Sequence, residues 1–268
     1  MNKKNFKDIE SGVPYSHQLM HTITPDGDCY VYALSDLLGK RNPRIRFYEV
    51  ELNAKFHFSV GAVKALYEYL EQDRKNKIKK MADLWSKSCN NDLTLLCAPV
   101  GTKTKSQLKK NEYDKASDYF IDSVCYWGSV VRTIGALREY FDKHKNREKF
   151  IAKIKERLDK KGEAAYEGID ADCKCVHGMD LSIYTKCLRI IKPEKFFIVD
   201  LVYEQFFKVK RKNYLEYKRA FQEVLDELKN DGFKLQIGDF EHILYFLIQY
   251  ARSNTHNKEL RQSWSNEK

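Results

Sequence analysis

Lys186 and Asp200 stand fourteen residues apart, on either side of Pro193. Lys186 lies in an apolar run, and burial of an amine among apolar side chains favours its uncharged, nucleophilic form. Asp200 closes a second apolar run, and a carboxylate there can stabilise positive charge or accept a proton. The two residue types predict covalent chemistry by an amine. The alternative is non-catalytic: the Lys186 amine extends to solvent, and Asp200 only caps a helix.

The elements around this pair are predicted from hydrophobic spacing. Pro193 ends the helix that carries Lys186, and residues 196–200 (FFIVD) form a short extended run that returns the chain. Apolar residues at spacings of three and four predict helices over 60–82, 116–126, 129–141, 146–160, 180–192, 213–229 and 238–250.

Composition favours a mostly helical protein with a basic surface. The chain has 12 Gly and 5 Pro, too few for the many turns of a β-sandwich or barrel. Its 48 Lys and Arg exceed its 38 Asp and Glu by 10, and the electrostatic field of such a net positive charge attracts phosphate-rich partners. A solvated lysine-rich surface would give the same count.

The remaining composition points to an intracellular protein. The N-terminal residues lack the apolar core of a secretory signal, and no apolar run approaches the length of a membrane span. Seven Cys at scattered spacing are typical of reduced thiols. We therefore expect a cytoplasmic, nucleoid-associated or nuclear location and no membrane partner.

The phrase Thr185-Lys186-Cys187-Leu188, followed by Pro193, Phe196, Ile198 and Asp200, resembles the helix–hairpin–helix DNA glycosylases, in particular their 8-oxoguanine glycosylase-like branch. The resemblance extends upstream to YFIDSVCYWGS and downstream to two apolar helices, over roughly 118–252. The sequence departs from the family at Arg189-Ile190, where the family has His-Phe. Of the hairpin glycines, only Gly178 stands near.

The resemblance implies an all-α, two-lobed fold, with room for a few short strands in the N-terminal part. Residues 1–112 would form an added or diverged helical lobe and 113–252 the glycosylase-like domain, with a polar tail over 253–268. The lysine-rich residues 101–112 are the best linker candidate.

The resemblance also implies a reaction on duplex DNA that needs no cofactor. A damaged base, such as an oxidised purine, is flipped into a pocket, Lys186 attacks C1′ of its sugar, and Asp200 stabilises the developing charge. The Schiff base formed can proceed to strand cleavage. Residues expected to stack on the base are Phe120, Tyr126 and Trp127. Residues expected to bind the DNA backbone are Arg189, Lys192, Lys208, Lys210, Arg211 and Lys212.

Cys29 supports an alternative enzyme class. It follows Asp28 and precedes an apolar run, and a thiol at a helix N-terminus has a lowered pKa. The phrase resembles the cysteine turn of papain-like peptidases, notably the ovarian-tumour-type deubiquitinases, which need a histidine base. The candidates for that base are His57, His177 and His242. A non-catalytic DNA-binding relative of the glycosylases is a third hypothesis.

Metal binding is not expected. The Cys173-Lys174-Cys175-Val176-His177 spacing does not match a standard zinc pattern, and a reduced pair of loop thiols explains it better. His17 and His21 stand one helical turn apart but lack an identifiable third ligand.

Overall fold

The computed structural model describes residues 19–38, 45–90, 120–127 and 134–254. The strands in this part of the chain are β1 (Leu19–Ile23), β2 (Cys29–Ala33), β3 (Phe47–Glu51) and β4 (Lys55–Ser59). The helices are α1 (Leu34–Leu38), α2 (Val60–Cys89), α3 (Phe120–Trp127), α4 (Ile134–Phe141), α5 (His144–Asp159), α6 (Ile169–Cys173), α7 (Leu181–Ile191), α8 (Leu201–Phe207), α9 (Tyr214–Asn230) and α10 (Ile237–Asn254). None of these helices is both long and apolar enough to cross a lipid bilayer.

The chain divides into two compact units. The first takes residues 1–72, 201–210 and 216–268, and the second takes 73–200 and 211–215. The first unit is therefore assembled from distant parts of the sequence.

The predicted linker at 101–112 lies outside the described residues, as does most of the predicted tail at 253–268. The division into 1–112, 113–252 and 253–268 stays a prediction.

The prediction of an all-α fold is wrong, because the first unit contains a four-stranded mixed sheet. The strand order is β1-β2-β4-β3, with β2 and β4 parallel and the two outer pairings antiparallel. The side chains alternate between the two faces, so that Val31, Phe56 and Phe58 are fully buried. Phe58 packs against Phe240 of α10, with ring centroids 6.2 Å apart. Alternating apolar residues thus give this sheet one buried face.

The predicted helices are confirmed wherever the structure describes them. The stripes over 60–82, 146–160 and 213–229 lie within α2, α5 and α9, with ends shifted by a few residues. The helix predicted over 180–192 is α7, which ends at Ile191, two residues before Pro193. The positions that set the 3.6-residue period are buried, as in Phe150, Ile154 and Leu158 of α5.

A buried arginine organises the glycine-bearing stretch between α5 and α7. The guanidinium of Arg157 donates to Asp172 of α6, with Nε 2.6 Å from Oδ2. Nη1 of Arg157 donates to the backbone carbonyls of Ala164 and Glu167, at 3.1 and 2.6 Å. Tyr184 of α7 donates its hydroxyl to the same Asp172 oxygen at 3.4 Å. One side chain therefore ties α5, the 3₁₀ turn Gly162–Ala165 and α6 together.

We expect Arg157→Met to destabilise the protein by about 3 kcal/mol, because it leaves the buried Asp172 carboxylate with a weakened set of partners. Urea unfolding followed by circular dichroism measures the change. The double variant Arg157→Met/Asp172→Leu should recover part of the loss. Glu156→Gln, which removes the exposed ion pairs of Glu156 with Lys153 and Lys160, should leave the urea midpoint unchanged. An unchanged midpoint in Arg157→Met would contradict this account of the arginine.

Candidate active site around Lys186 and Asp200

Helix α7 carries Lys186 into the interior of the second unit. Asp180 caps the helix, its carboxylate accepting a hydrogen bond from the Ile183 amide at 2.8 Å. Residues 182–190 are all buried, so the helix is covered on every side. Lys186 is only 5% exposed, so it does not snorkel to solvent. An amine in such a setting must be matched by polar partners.

The returning segment 196–200 forms neither a helix nor a strand, and two side chains from other parts of the second unit hold it in place. Tyr214 stacks on Phe197, with ring centroids 4.3 Å apart. The Tyr214 hydroxyl accepts from the Phe197 amide at 2.9 Å and donates to the Phe197 carbonyl at 2.6 Å. Thr185 of α7 accepts from the Val199 amide at 3.4 Å. These bonds satisfy the Phe197 amide, the Phe197 carbonyl and the Val199 amide, and they hold the segment that carries Asp200 against α7.

The structure brings the two predicted catalytic residues together. The Lys186 amine lies 3.6 Å from Oδ2 of Asp200. Ser182, one helical turn before the lysine, stands between them. The Lys186 amine donates to the Ser182 hydroxyl at 2.5 Å, and that hydroxyl donates to Asp200 Oδ2 at 3.1 Å. The Asp200 side chain is 30% exposed, so the site opens to solvent on the side of the carboxylate.

Two buried thiols lie close to the amine. Burial raises the pKa of Cys187 to about 12 and that of Cys125, on α3, well above its ordinary value. The positive charge of Lys186 acts in the opposite direction on both. Both thiols therefore stay protonated near neutral pH.

The predicted stacking residues differ in their surroundings. Phe120 is fully buried against Trp85, with ring centroids 5.5 Å apart, and so belongs to the core. Trp127 is 8% exposed and carries the Arg189 guanidinium 5.0 Å from its ring centroid. The side chain of Tyr126 lies outside the described residues.

The predicted DNA-backbone residues are also placed unequally. Arg189 is 1% exposed and lies against Trp127, away from the surface. Lys210 pairs with Glu204 at 3.2 Å on the surface. Lys208, Lys210 and Lys212 are exposed, and Lys192 and Arg211 are half-buried. Lys208, Lys210 and Lys212 are therefore the members of the predicted set that face solvent.

Cys29 does not stand at a helix N-terminus, contrary to the sequence-based expectation. It opens strand β2, and α1 begins five residues later. Burial raises the pKa of its thiol to about 12. In the register of β2 and β4, Cys29 pairs with Phe56, whereas Tyr30 pairs with His57 and stacks on it at 4.0 Å. Neighbouring residues of a strand face opposite sides, so His57 cannot act as a base for Cys29.

The other histidines and the short cysteine motif give no metal centre in the structure. His242 stacks on Phe246 at 5.3 Å, and His177 is exposed. Cys173 donates its thiol to the Asp170 carbonyl at 3.1 Å. Within the described residues, no three His, Cys, Asp or Glu side chains are placed to hold a metal ion. His21 is buried in β1, and His17 lies outside the described residues.

No protein-family model, curated protein or solved structure matches this chain. The function of this protein is therefore inferred from the side chains of the site. Two of these, Ser182 and Thr185, were missed from the sequence. The available signal for Ser182 was its position four residues before the lysine, which puts both side chains on one face of a helix.

We expect Thr185→Val to lower stability by about 1–3 kcal/mol, because the buried Val199 amide loses its acceptor. Thr185→Ser keeps the hydroxyl and serves as the matched control. Urea unfolding of both variants measures the difference. Equal stability of Thr185→Val and the unsubstituted protein would show that this hydroxyl does not hold the segment.

We expect iodoacetamide near pH 8 to modify exposed Cys175 and to spare Cys29 in the folded protein. With its pKa near 12, Cys29 has a thiolate fraction of about one in ten thousand at that pH. Peptide mapping by mass spectrometry measures both sites, and unfolding in urea should make them equally reactive. Faster labelling of Cys29 than of Cys175 would favour the cysteine-peptidase hypothesis.

Proposed function

We propose that this protein is a DNA glycosylase that excises a damaged base, such as an oxidised purine, through a covalent intermediate on Lys186. The observation that carries the proposal is the placement of a buried lysine amine 3.6 Å from an aspartate carboxylate that reaches solvent. The resemblance of 118–252 to the glycosylases assigns complementary roles to the same two residues. A nucleophilic amine and a carboxylate are the two groups that this chemistry requires.

The proposed reaction begins with the loss of a proton from the Lys186 amine. The nitrogen lone pair attacks C1′ of the sugar, a C–N bond to the lysine forms, and the bond from C1′ to the base breaks. The base leaves with that electron pair and takes up a proton. The second amine proton moves to O4′ as the C1′–O4′ bond breaks, which opens the sugar ring and gives a protonated Schiff base. Loss of a C2′ proton from this Schiff base can then eliminate the 3′ phosphate.

Asp200 is suited to two roles in these steps. After the proton from the lysine has passed on to the departing base, the negative charge of the Asp200 carboxylate stabilises positive charge that remains on the sugar. Its partial exposure allows a carboxyl oxygen to reach a substrate that enters from solvent. The carboxylate can also hold the proton that the lysine releases and return it to the departing base.

We propose that the basic run over 208–212 contacts the phosphates of the DNA. Lys208, Lys210 and Lys212 are exposed, and phosphate contacts of this kind supply affinity without reading sequence. Trp127 stays a proposed stacking residue; its side chain is largely buried, and Arg189 covers one face of its ring. Phe120 is a core residue and Arg189 a support for Trp127.

We expect single-turnover excision from a duplex carrying one 8-oxoguanine to fall by at least about a thousandfold in Lys186→Gln and by about 10²–10⁴-fold in Asp200→Asn. Alkali treatment and gel electrophoresis measure the excised fraction. The controls are Lys174→Gln and Asp170→Asn, which alter an exposed lysine–aspartate pair 3.7 Å apart in the same unit. Both should retain full activity.

The other hypotheses give different outcomes in the same assay. A non-catalytic relative would bind the duplex in a salt-sensitive manner and excise no base from substrates with oxidised, deaminated or alkylated bases. Excision that persists in Lys186→Gln would assign the reaction to another residue. Either result would contradict the proposed function.

A further inference from the structure

We propose that Ser182 is a proton-relay residue that carries the proton of Lys186 to Asp200, an inference that rests on the proposed glycosylase function. The relay explains how a buried ammonium group becomes a nucleophile. Neither the composition nor the resemblance to glycosylases assigns a role to this serine.

The distances show why a relay is needed. The Lys186 amine and the Asp200 carboxylate are 3.6 Å apart, which is too far for a direct hydrogen bond. The Ser182 hydroxyl closes that gap with two hydrogen bonds, 2.5 Å from the amine and 3.1 Å to the carboxylate. The only hydrogen-bonded route that these three side chains form therefore passes through the serine.

The hydroxyl is also held in the required orientation. Ser182 lies in the first turn of α7, four residues before Lys186, and both side chains are about 5% exposed. A serine hydroxyl has one proton to donate and two lone pairs to accept with. Here the proton points to Asp200 and a lone pair receives the amine. The neighbouring Thr185 hydroxyl donates to the Leu181 carbonyl at 2.8 Å and so is committed to the helix backbone.

The relay moves two protons and leaves the serine unchanged. A proton passes from the Lys186 nitrogen to the Ser182 oxygen as the hydroxyl proton passes from Ser182 to Asp200. The products are a neutral amine, a neutral hydroxyl and a protonated carboxyl group. The amine can then attack the sugar, and the carboxyl group can donate its proton to the leaving base.

Other titratable groups surround this chain of hydrogen bonds. Cys187 lies on α7 itself, and Cys125 faces it from α3. Asp122 of α3 and Asp180 at the start of α7 also act on Cys125. The two thiols stay protonated near neutral pH because burial raises their pKa values, and Asp122 is paired with Arg138 at 3.0 Å. We therefore assign a change of pH profile in a Ser182 variant to the relay.

The test compares Ser182→Ala and Ser182→Thr with the unsubstituted protein in single-turnover excision of 8-oxoguanine between about pH 6 and pH 10. Ser182→Ala should lose about a hundredfold near pH 7. Its rate should then rise about tenfold per pH unit, as hydroxide takes over removal of the proton. Ser182→Thr keeps a hydroxyl and should restore most of the activity. Circular dichroism and urea unfolding show whether each variant is folded.

Three results would overturn the relay. A pH profile of Ser182→Ala that matches the unsubstituted protein would show that the hydroxyl carries no proton. A loss that is equal at every pH and is not restored by Ser182→Thr would show a structural role. Covalent labelling of Ser182 by a fluorophosphonate would identify the serine as a nucleophile, with the lysine as its base.

A second readout separates the relay from the glycosylase function. Formaldehyde with borohydride methylates neutral amines, and peptide mapping reports the extent at Lys186 without any DNA. If Ser182→Ala changes the rate of Lys186 methylation several-fold and Ser182→Thr does not, while the unsubstituted protein excises no base, the coupling of Ser182 to the lysine proton stands and the proposed function fails. Excision with methylation that is insensitive to Ser182 would leave the proposed function standing and overturn the relay.

Discussion

The hydrogen bonds that two side chains make to the backbone of residues 197–199 determine whether this protein has a site at all. Tyr214 bonds to both polar groups of Phe197, and Thr185 accepts from the Val199 amide. Without these bonds three backbone groups of the segment would lose their side-chain partners, at a cost of about 1–3 kcal/mol each where they stay buried. With them, the chain turns back after Pro193 and Asp200 meets the amine of Lys186. These hydrogen bonds therefore set the distance between the Lys186 amine and the Asp200 carboxylate, over which the proposed relay would move a proton.

The parts of the fold predicted from the sequence are those controlled by local spacing. Pro193 ends α7, and the apolar stripes of α5 and α9 face the core, as expected. The sheet was missed because its strands have five residues each and because β2 and β4 pair across an intervening helix and strand. The alternation in Cys29–Ala33 was the available signal, but the apolar run into α1 concealed it. Pairing between distant short strands leaves little trace in sequence.

The candidate site divides in the same way. The spacing of Lys186, Pro193 and Asp200 allowed the two side chains to lie close together, because a short return after a helix ended by proline brings the chain back past that helix. Their paired roles came from the resemblance. The burial of Arg189 was not predictable, since α7 is enclosed on all sides and a basic residue on it is ordinarily assigned to the surface. Its guanidinium lies over Trp127, which links a residue expected at the DNA backbone to one expected to stack on a base. Of the predicted DNA-backbone residues, Lys208, Lys210 and Lys212 face solvent, whereas Arg189 lies on the enclosed α7.

In the proposed reaction the Lys186 nitrogen forms the covalent bond to the sugar. Trapping that bond and locating it in the protein tests the reaction directly. The protein is incubated with a duplex containing a single 8-oxoguanine in the presence of borohydride, the adduct is digested with protease and nuclease, and the modified peptide is sequenced by mass spectrometry. We expect one nucleotide remnant on Lys186 and no adduct in Lys186→Gln. A remnant on any other residue, or base excision without a trapped adduct, would contradict it.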